Sequence, residues 1–120
     1  MALRVMIVDD ALFMRNMLKD IFERAGYEIA AEAENGEEAL RLYRELKPDL
    51  VTMDIVMPKM SGIEALRGIT REEPNACVVM VSALGQDALV LEAVEAGARD
   101  FIVKPFKEEK VLEIVARITG

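Results

Sequence analysis

Along this chain, short unbroken apolar runs alternate with longer stretches in which apolar residues return every three or four positions. The first run, Arg4-Val5-Met6-Ile7-Val8, is rich in β-branched residues and closes on Asp9-Asp10, which predicts a strand covered on both faces. Phe13/Met14, Met17/Leu18, Ile21/Phe22 and Ala25 then recur with a period of about 3.5 residues, predicting a helix stopped by Gly26 with Asp10 near its start. Residues 27–33 are less apolar and suit an edge strand; Asn35-Gly36 forms a turn. A second helix over about 37–46 places Glu37 and Arg41 one turn apart on its outer face, and Pro48 closes it.

Residues 49–53 form the third strand, and Ser61-Gly62 opens a third helix through Ile63, Leu66 and Ile69 that cannot outlast Pro74. The fourth strand, 77–81, ends at Ser82. In the fourth helix, about 86–96, Ala88, Leu89, Val90, Leu91, Ala93 and Val94 wrap beyond one face, so some apolar surface is expected in solvent. After Gly97 come a fifth strand at 101–103, the breaker Lys104-Pro105 and a last amphipathic helix over 107–118. The methionines, including Met14, Met17, Met53, Met57 and Met60, read as gap-filling core.

Five strands alternating with five helices over short connections predict an α/β fold, a doubly wound parallel sheet with helices on both faces. Ligands of such sheets bind at the carboxyl ends of the strands. Asp9 and Asp10, Asp54, Ser82 and Lys104 follow strands one, three, four and five, so all are expected at one edge.

Length and charge narrow the chemistry. At 120 residues, with no linker or repeat, the chain suits one domain over residues 1–120. The net charge of −7 opposes nucleic-acid binding, and no apolar run is long enough to cross a bilayer, so a cytoplasmic location is expected. A lone cysteine, Cys77, excludes a disulfide or a thiolate metal cluster within the chain. The absence of histidine excludes histidine bases, histidine ligands and a phosphohistidine on this chain.

Three carboxylates gathered at one edge repel one another unless a cation sits among them. Oxygen ligands alone select a hard ion, and magnesium, which accepts one or two carboxylates and keeps its waters, fits better than calcium. Asp10 and Asp54 are the direct ligands of this reading, with a carbonyl near Val56 as a further oxygen and Asp9 acting through water. With Lys104 beside them the edge suits phosphoryl oxygens; Asp54 is then a nucleophile and Ser82 a hydrogen-bond partner of the group it acquires. Each residue also has a plainer reading: Asp9-Asp10 as helix cap, Lys104 as a solvated strand-end lysine, Ser82 as a turn hydroxyl. The joint pattern favours the chemical one.

Val8-Asp9-Asp10, Met53-Asp54 with Met57-Pro58, Val81-Ser82-Ala83 and Val103-Lys104-Pro105-Phe106 together resemble the motif set of response-regulator receiver domains of two-component signalling. The likeness spans essentially the whole chain and is nearest to the stand-alone chemotaxis members. It implies the flavodoxin-like strand order 2-1-3-4-5, phosphorylation of Asp54 by a separate histidine kinase, and Mg2+ held by Asp10, Asp54 and the backbone carbonyl of Val56. It further implies Ser82 as switch hydroxyl, Lys104 as phosphate-pairing lysine, a cis Lys104-Pro105 bond and Phe101 at an aromatic switch position often occupied by Tyr. Val56 and Leu84 fall at positions that flank the hydrolytic water in the family; both are apolar here, so slow self-dephosphorylation is expected.

The resemblance implies a signalling module rather than an enzyme: a monomer that takes phosphate from a kinase, docks on a flagellar switch or adaptor, and has a phosphatase as a further partner. Val90 and Phe101 are the expected docking contacts. A non-chemotaxis phosphorelay is the alternative. A phosphatase of the haloacid dehalogenase type would need a second Asp where Val56 stands, and a flavodoxin-like carrier would have Asp9-Asp10 repelling the flavin phosphate.

Overall fold

The computed structural model describes residues 2–120. Among the described residues the order is β1 Arg4–Val8, α1 Leu12–Arg24, β2 Glu28–Ala33, α2 Gly36–Leu46, β3 Leu50–Met53, α3 Gly62–Glu72, β4 Val78–Ser82, α4 Asp87–Glu95, β5 Asp100–Val103 and α5 Glu108–Thr119. The strands form one parallel sheet in the order β2-β1-β3-β4-β5, which is the expected one and leaves the weakly apolar β2 at an edge.

Because successive strand residues point to opposite faces, the sheet divides the apolar residues into two sets. Met6, Val8, Val51, Met53, Val78 and Met80 face Ala39 and Tyr43 of α2, Ile63, Leu66 and Ile69 of α3 and Ala93 of α4. Val5, Ile7, Leu50, Val79, Val81 and Ile102 face Leu18, Ile21 and Phe22 of α1 and Val111, Ile114 and Val115 of α5. This two-sided burial is why the strands read as continuous apolar runs. Thr52 is buried in the middle of β3, and its hydroxyl has no hydrogen-bond partner.

Helix starts follow side-chain capping where the sequence supplies it. Asn35 accepts from the Glu38 amide at 2.9 Å to open α2, and Ser61 accepts from Glu64 at 3.2 Å to open α3. Asn35 is therefore a helix cap more than a turn. On α2, Arg41 pairs with Glu45 at 3.3 Å instead of with Glu37.

The stripe expected on α1 is displaced. Phe13 is 72 % exposed and Met17 36 %, and Ala25 also meets solvent, whereas Arg15 is buried with Leu18, Ile21 and Phe22. The helix turns its 15–18–22 line to the sheet, and the aromatic and thioether next to that line project outward.

α4 is the least embedded helix: Ala93 is its one buried residue, and Leu91 and Val94 are 59 % and 53 % exposed. Its carboxyl end is tied down, with the Thr70 hydroxyl donating to the Ala96 carbonyl at 2.8 Å and Arg67 pairing with Glu92 at 3.1 Å. At its other end, Gln86 gives no side-chain cap.

Candidate functional site

β1 ends at Val8 and β3 at Met53, neighbours in register, so the residues that follow them emerge side by side at the carboxyl edge of the sheet. Carboxylate oxygens of Asp9, Asp10 and Asp54 lie within 4.8 Å of one another. The expected cluster is therefore assembled by topology.

Its members sit in different surroundings. Asp9 is 1 % exposed and fully engaged: its amide donates to the Ala33 carbonyl at 3.0 Å, one carboxylate oxygen accepts from the Ala11 amide at 2.9 Å, and the other accepts from Lys104 at 2.8 Å. Asp10 is exposed. Neither residue caps α1, whose N-cap is Ala11 with no side-chain hydrogen bond. The plain capping reading of the acidic pair therefore fails, and the repulsion of the gathered carboxylates is offset in part by Lys104, which pairs with Asp9 and with Asp54 but not with Asp10.

Asp54 lies between these extremes. One carboxylate oxygen accepts from the Ile55 amide at 2.7 Å and the other from Lys104 at 3.4 Å. Burial pushes the Asp54 carboxyl above its ordinary value; the Lys104 ammonium and the Ile55 amide pull it back, while the Asp9 charge adds to the rise. For Lys104, burial opposes the charge, but the hydrogen bond to Asp9 and the nearby Asp54 charge outweigh it and hold the ammonium above its usual value. Lys104 is a tethered cation, nearer to Asp9 than to Asp54.

Ser82 closes β4 fully buried, with its hydroxyl accepting from the Leu84 amide at 3.2 Å. The Lys104 amide donates to the Ser82 carbonyl at 2.8 Å, so the ends of β4 and β5 are laced together. The Lys104-Pro105 bond is cis. Phe101 is half-buried against the α2–α3–α4 side, and Val90 is half-buried on α4, less exposed than Leu91 and Val94. The Val56 side chain is 62 % exposed two residues beyond Asp54.

Two residues that shape the site are not marked as site residues by the sequence. Gly62 donates its amide to the Ile55 carbonyl at 2.8 Å and brings the start of α3 against the Asp54 peptide. Arg15 donates from Nη1 to the Asp9 carbonyl at 2.8 Å. The signal for Arg15 was its spacing of three from Leu18 and seven from Phe22, which puts it on the buried line of α1.

Oxygen-only donors within 4.8 Å of one another, one of them solvent-facing, fit a hard divalent cation such as magnesium, and the adjacent ammonium fits a further anion. The neighbours of this chain agree. The response regulator receiver domain family matches residues 5–116. The chemotaxis protein CheY of Thermotoga maritima is 57 % identical over 99 % of each chain, and that of Bacillus subtilis is 55 % identical over 96 % of each. Among solved structures, a crystal structure of a CheX-CheY-BeF3-Mg2+ complex from Borrelia burgdorferi aligns with TM-score 0.96 at 42 % identity, covering 98 % of this chain and 90 % of that one. The response regulator domain of Thermotoga maritima CheB aligns with TM-score 0.92 at 39 % identity, covering 99 % and 97 %. A strand order, an acidic edge and these likenesses lead to one assignment: the chain belongs to the response regulator receiver domain family and is closely related to the CheY chemotaxis regulators.

Proposed function

We propose that residues 1–120 act as a single receiver domain that accepts a phosphoryl group on Asp54 from a histidine kinase and signals through phosphorylation-dependent protein binding in chemotaxis. The observation that carries this reading is the convergence on Asp54 of Asp9 and Asp10, within 4.8 Å, and of the Lys104 ammonium, at 3.4 Å. Asp10, Asp54 and the Val56 carbonyl would hold Mg2+, with Asp9 reaching it through water. When bound, the ion supplies charge neutralisation for the phosphoryl oxygens.

The chain's own residues do the rest. Asp54, ionised with the help of Lys104, attacks phosphorus; a carboxylate oxygen–phosphorus bond forms as the donor's phosphorus–nitrogen bond breaks. The electron pair stays on the leaving imidazole, which takes up a proton. Lys104 pairs with the new dianion, and Ser82 gives up its bond with the Leu84 amide to donate to it.

Withdrawal of the Ser82 hydroxyl toward Asp54 opens space beside β5 for Phe101 to turn inward, which alters the surface shared with α4. The two states then differ in their contact with the phosphoryl group, as any ligand-driven shift requires. Val90 and Phe101 are the proposed contacts for a flagellar switch or adaptor protein. The CheX-bound structure supports a further protein partner for a domain of this kind, and a phosphatase suits a phosphoryl group that this chain sheds slowly. Such a module works in the cytoplasm; among the described residues no helix is long and apolar enough to cross a membrane.

Intact-mass analysis after incubation with Mg2+ and a small acyl phosphate tests the proposal. Wild type should gain one phosphoryl mass and Asp54→Asn none. An equal gain in both, or no gain in wild type, overturns it.

A further inference from the structure

Arg15 is 6 % exposed, and a guanidinium is seldom so deeply placed unless it is paired. Its partners divide between two elements. Nη1 donates to the Asp9 backbone carbonyl at 2.8 Å, while Nε and Nη2 meet Glu32 at 3.2 Å and Glu34 at 3.4 Å on and just beyond β2. Lys19 lies 3.6 Å from Glu32 and shares that carboxylate. An arginine needed only to pair with Glu34, which is 65 % exposed, could do so from the surface.

The carbonyl contact is the informative one. Asp9 and Asp10 share a peptide group whose oxygen is the acceptor of Arg15, so the guanidinium fixes the plane from which the Asp10 side chain departs. Asp9 is held by its own amide and carboxylate contacts, whereas the Asp10 carboxylate faces solvent and takes its place from that backbone. A planar fork can engage the carbonyl and Glu32 together; a lysine ammonium has no such geometry.

We propose that Arg15 is a positioning residue for the cation site: it holds the Asp9–Asp10 peptide so that the Asp10 carboxylate stays in reach of Asp54. This rests on the proposed function, because only a bound ion gives that placement a use. The sign of the effect separates positioning from simple charge. Removing a nearby positive charge should by Coulomb's law tighten Mg2+ binding, whereas loosening a ligand should weaken it.

Calorimetric Mg2+ titration of wild type, Arg15→Met and Arg15→Lys, with thermal unfolding of each metal-free protein, tests this. Arg15→Met should bind Mg2+ about ten-fold more weakly than wild type while folded. Arg15→Lys, with its charge kept, should fall between the two. Unchanged or tighter binding in a folded Arg15→Met overturns the inference; should that variant fail to fold, wild-type affinity in Arg15→Lys overturns it. Absence of Mg2+ binding by wild type would instead sink the functional reading itself.

Discussion

Gly62 stands directly against the Asp54 carbonyl: a Cβ built on the glycine would lie 1.8 Å from that oxygen. No rotamer change relieves the overlap, because the obstacle is backbone. Gly62→Ala should therefore destabilise the domain by about 3 kcal/mol as the start of α3 is forced from the loop after β3. Urea unfolding followed by circular dichroism measures this, and a variant as stable as wild type would show that the two segments yield freely.

Thr52 offers the opposite case. Its hydroxyl is buried without a partner, so Thr52→Val exchanges an unsatisfied polar group for a methyl of similar size. A gain of about 1 kcal/mol is expected in the same assay, since the desolvation cost disappears and no hydrogen bond is lost.

Val56 presents an apolar side chain, 62 % exposed, beside Asp54. It cannot orient a water for attack on phosphorus, and Val56→Asn can. After removal of the donor, the phosphorylated variant should decay about ten-fold faster than wild type by time-resolved intact mass. Equal lifetimes would show that water is limited elsewhere.

Leu91 and Val94 expose more of their surface than Val90, so a charge placed there tests α4 as a docking face with the least risk to folding. Leu91→Glu should shift stability by less than about 0.5 kcal/mol and leave phosphorylation of Asp54 intact. Binding of the phosphorylated protein to its target should weaken in the same variant, as it should for Val90→Glu. Undiminished binding by both would move the docking face away from α4.

Burial holds the Cys77 thiol above its ordinary value, and Arg99 only partly offsets this. The folded protein therefore carries less thiolate at neutral pH than the unfolded chain. Alkylation should speed up at least about ten-fold in denaturant. A raised thiol value also means that its contribution to stability is present below the unfolded thiol's pKa and is lost as pH rises through the folded one. The urea midpoint of wild type should fall over that alkaline window more than that of Cys77→Ala.

The fold was legible because burial on both sheet faces leaves an unmistakable trace: Val5 to Val8 and Val78 to Val81 are apolar without interruption. The site was legible for a related reason, since Asp9, Asp10, Asp54 and Lys104 follow strands, Ser82 closes one, and parallel strands end together. What escaped was side-chain direction on a helix. Phe13 and Met17 looked like core from their type, whereas Arg15 takes the buried line because the Asp9 carbonyl and the carboxylates of Glu32 and Glu34 engage its guanidinium there. The role of Gly62 escaped because a glycine at a helix start usually reports chain freedom, and here it reports contact.

The uneven fastening of α4 gives it the character of a lever. Thr70 and Arg67 hold the far end, at Ala96 and Glu92, while the end next to the Ser82 loop has no side-chain cap, so a displacement at Ser82 should tilt the helix rather than translate it. Amide hydrogen exchange should then form a gradient, fastest at the Asp87 end and slowest beside Ala96, and a uniform rate along the helix would mean that it moves as a whole.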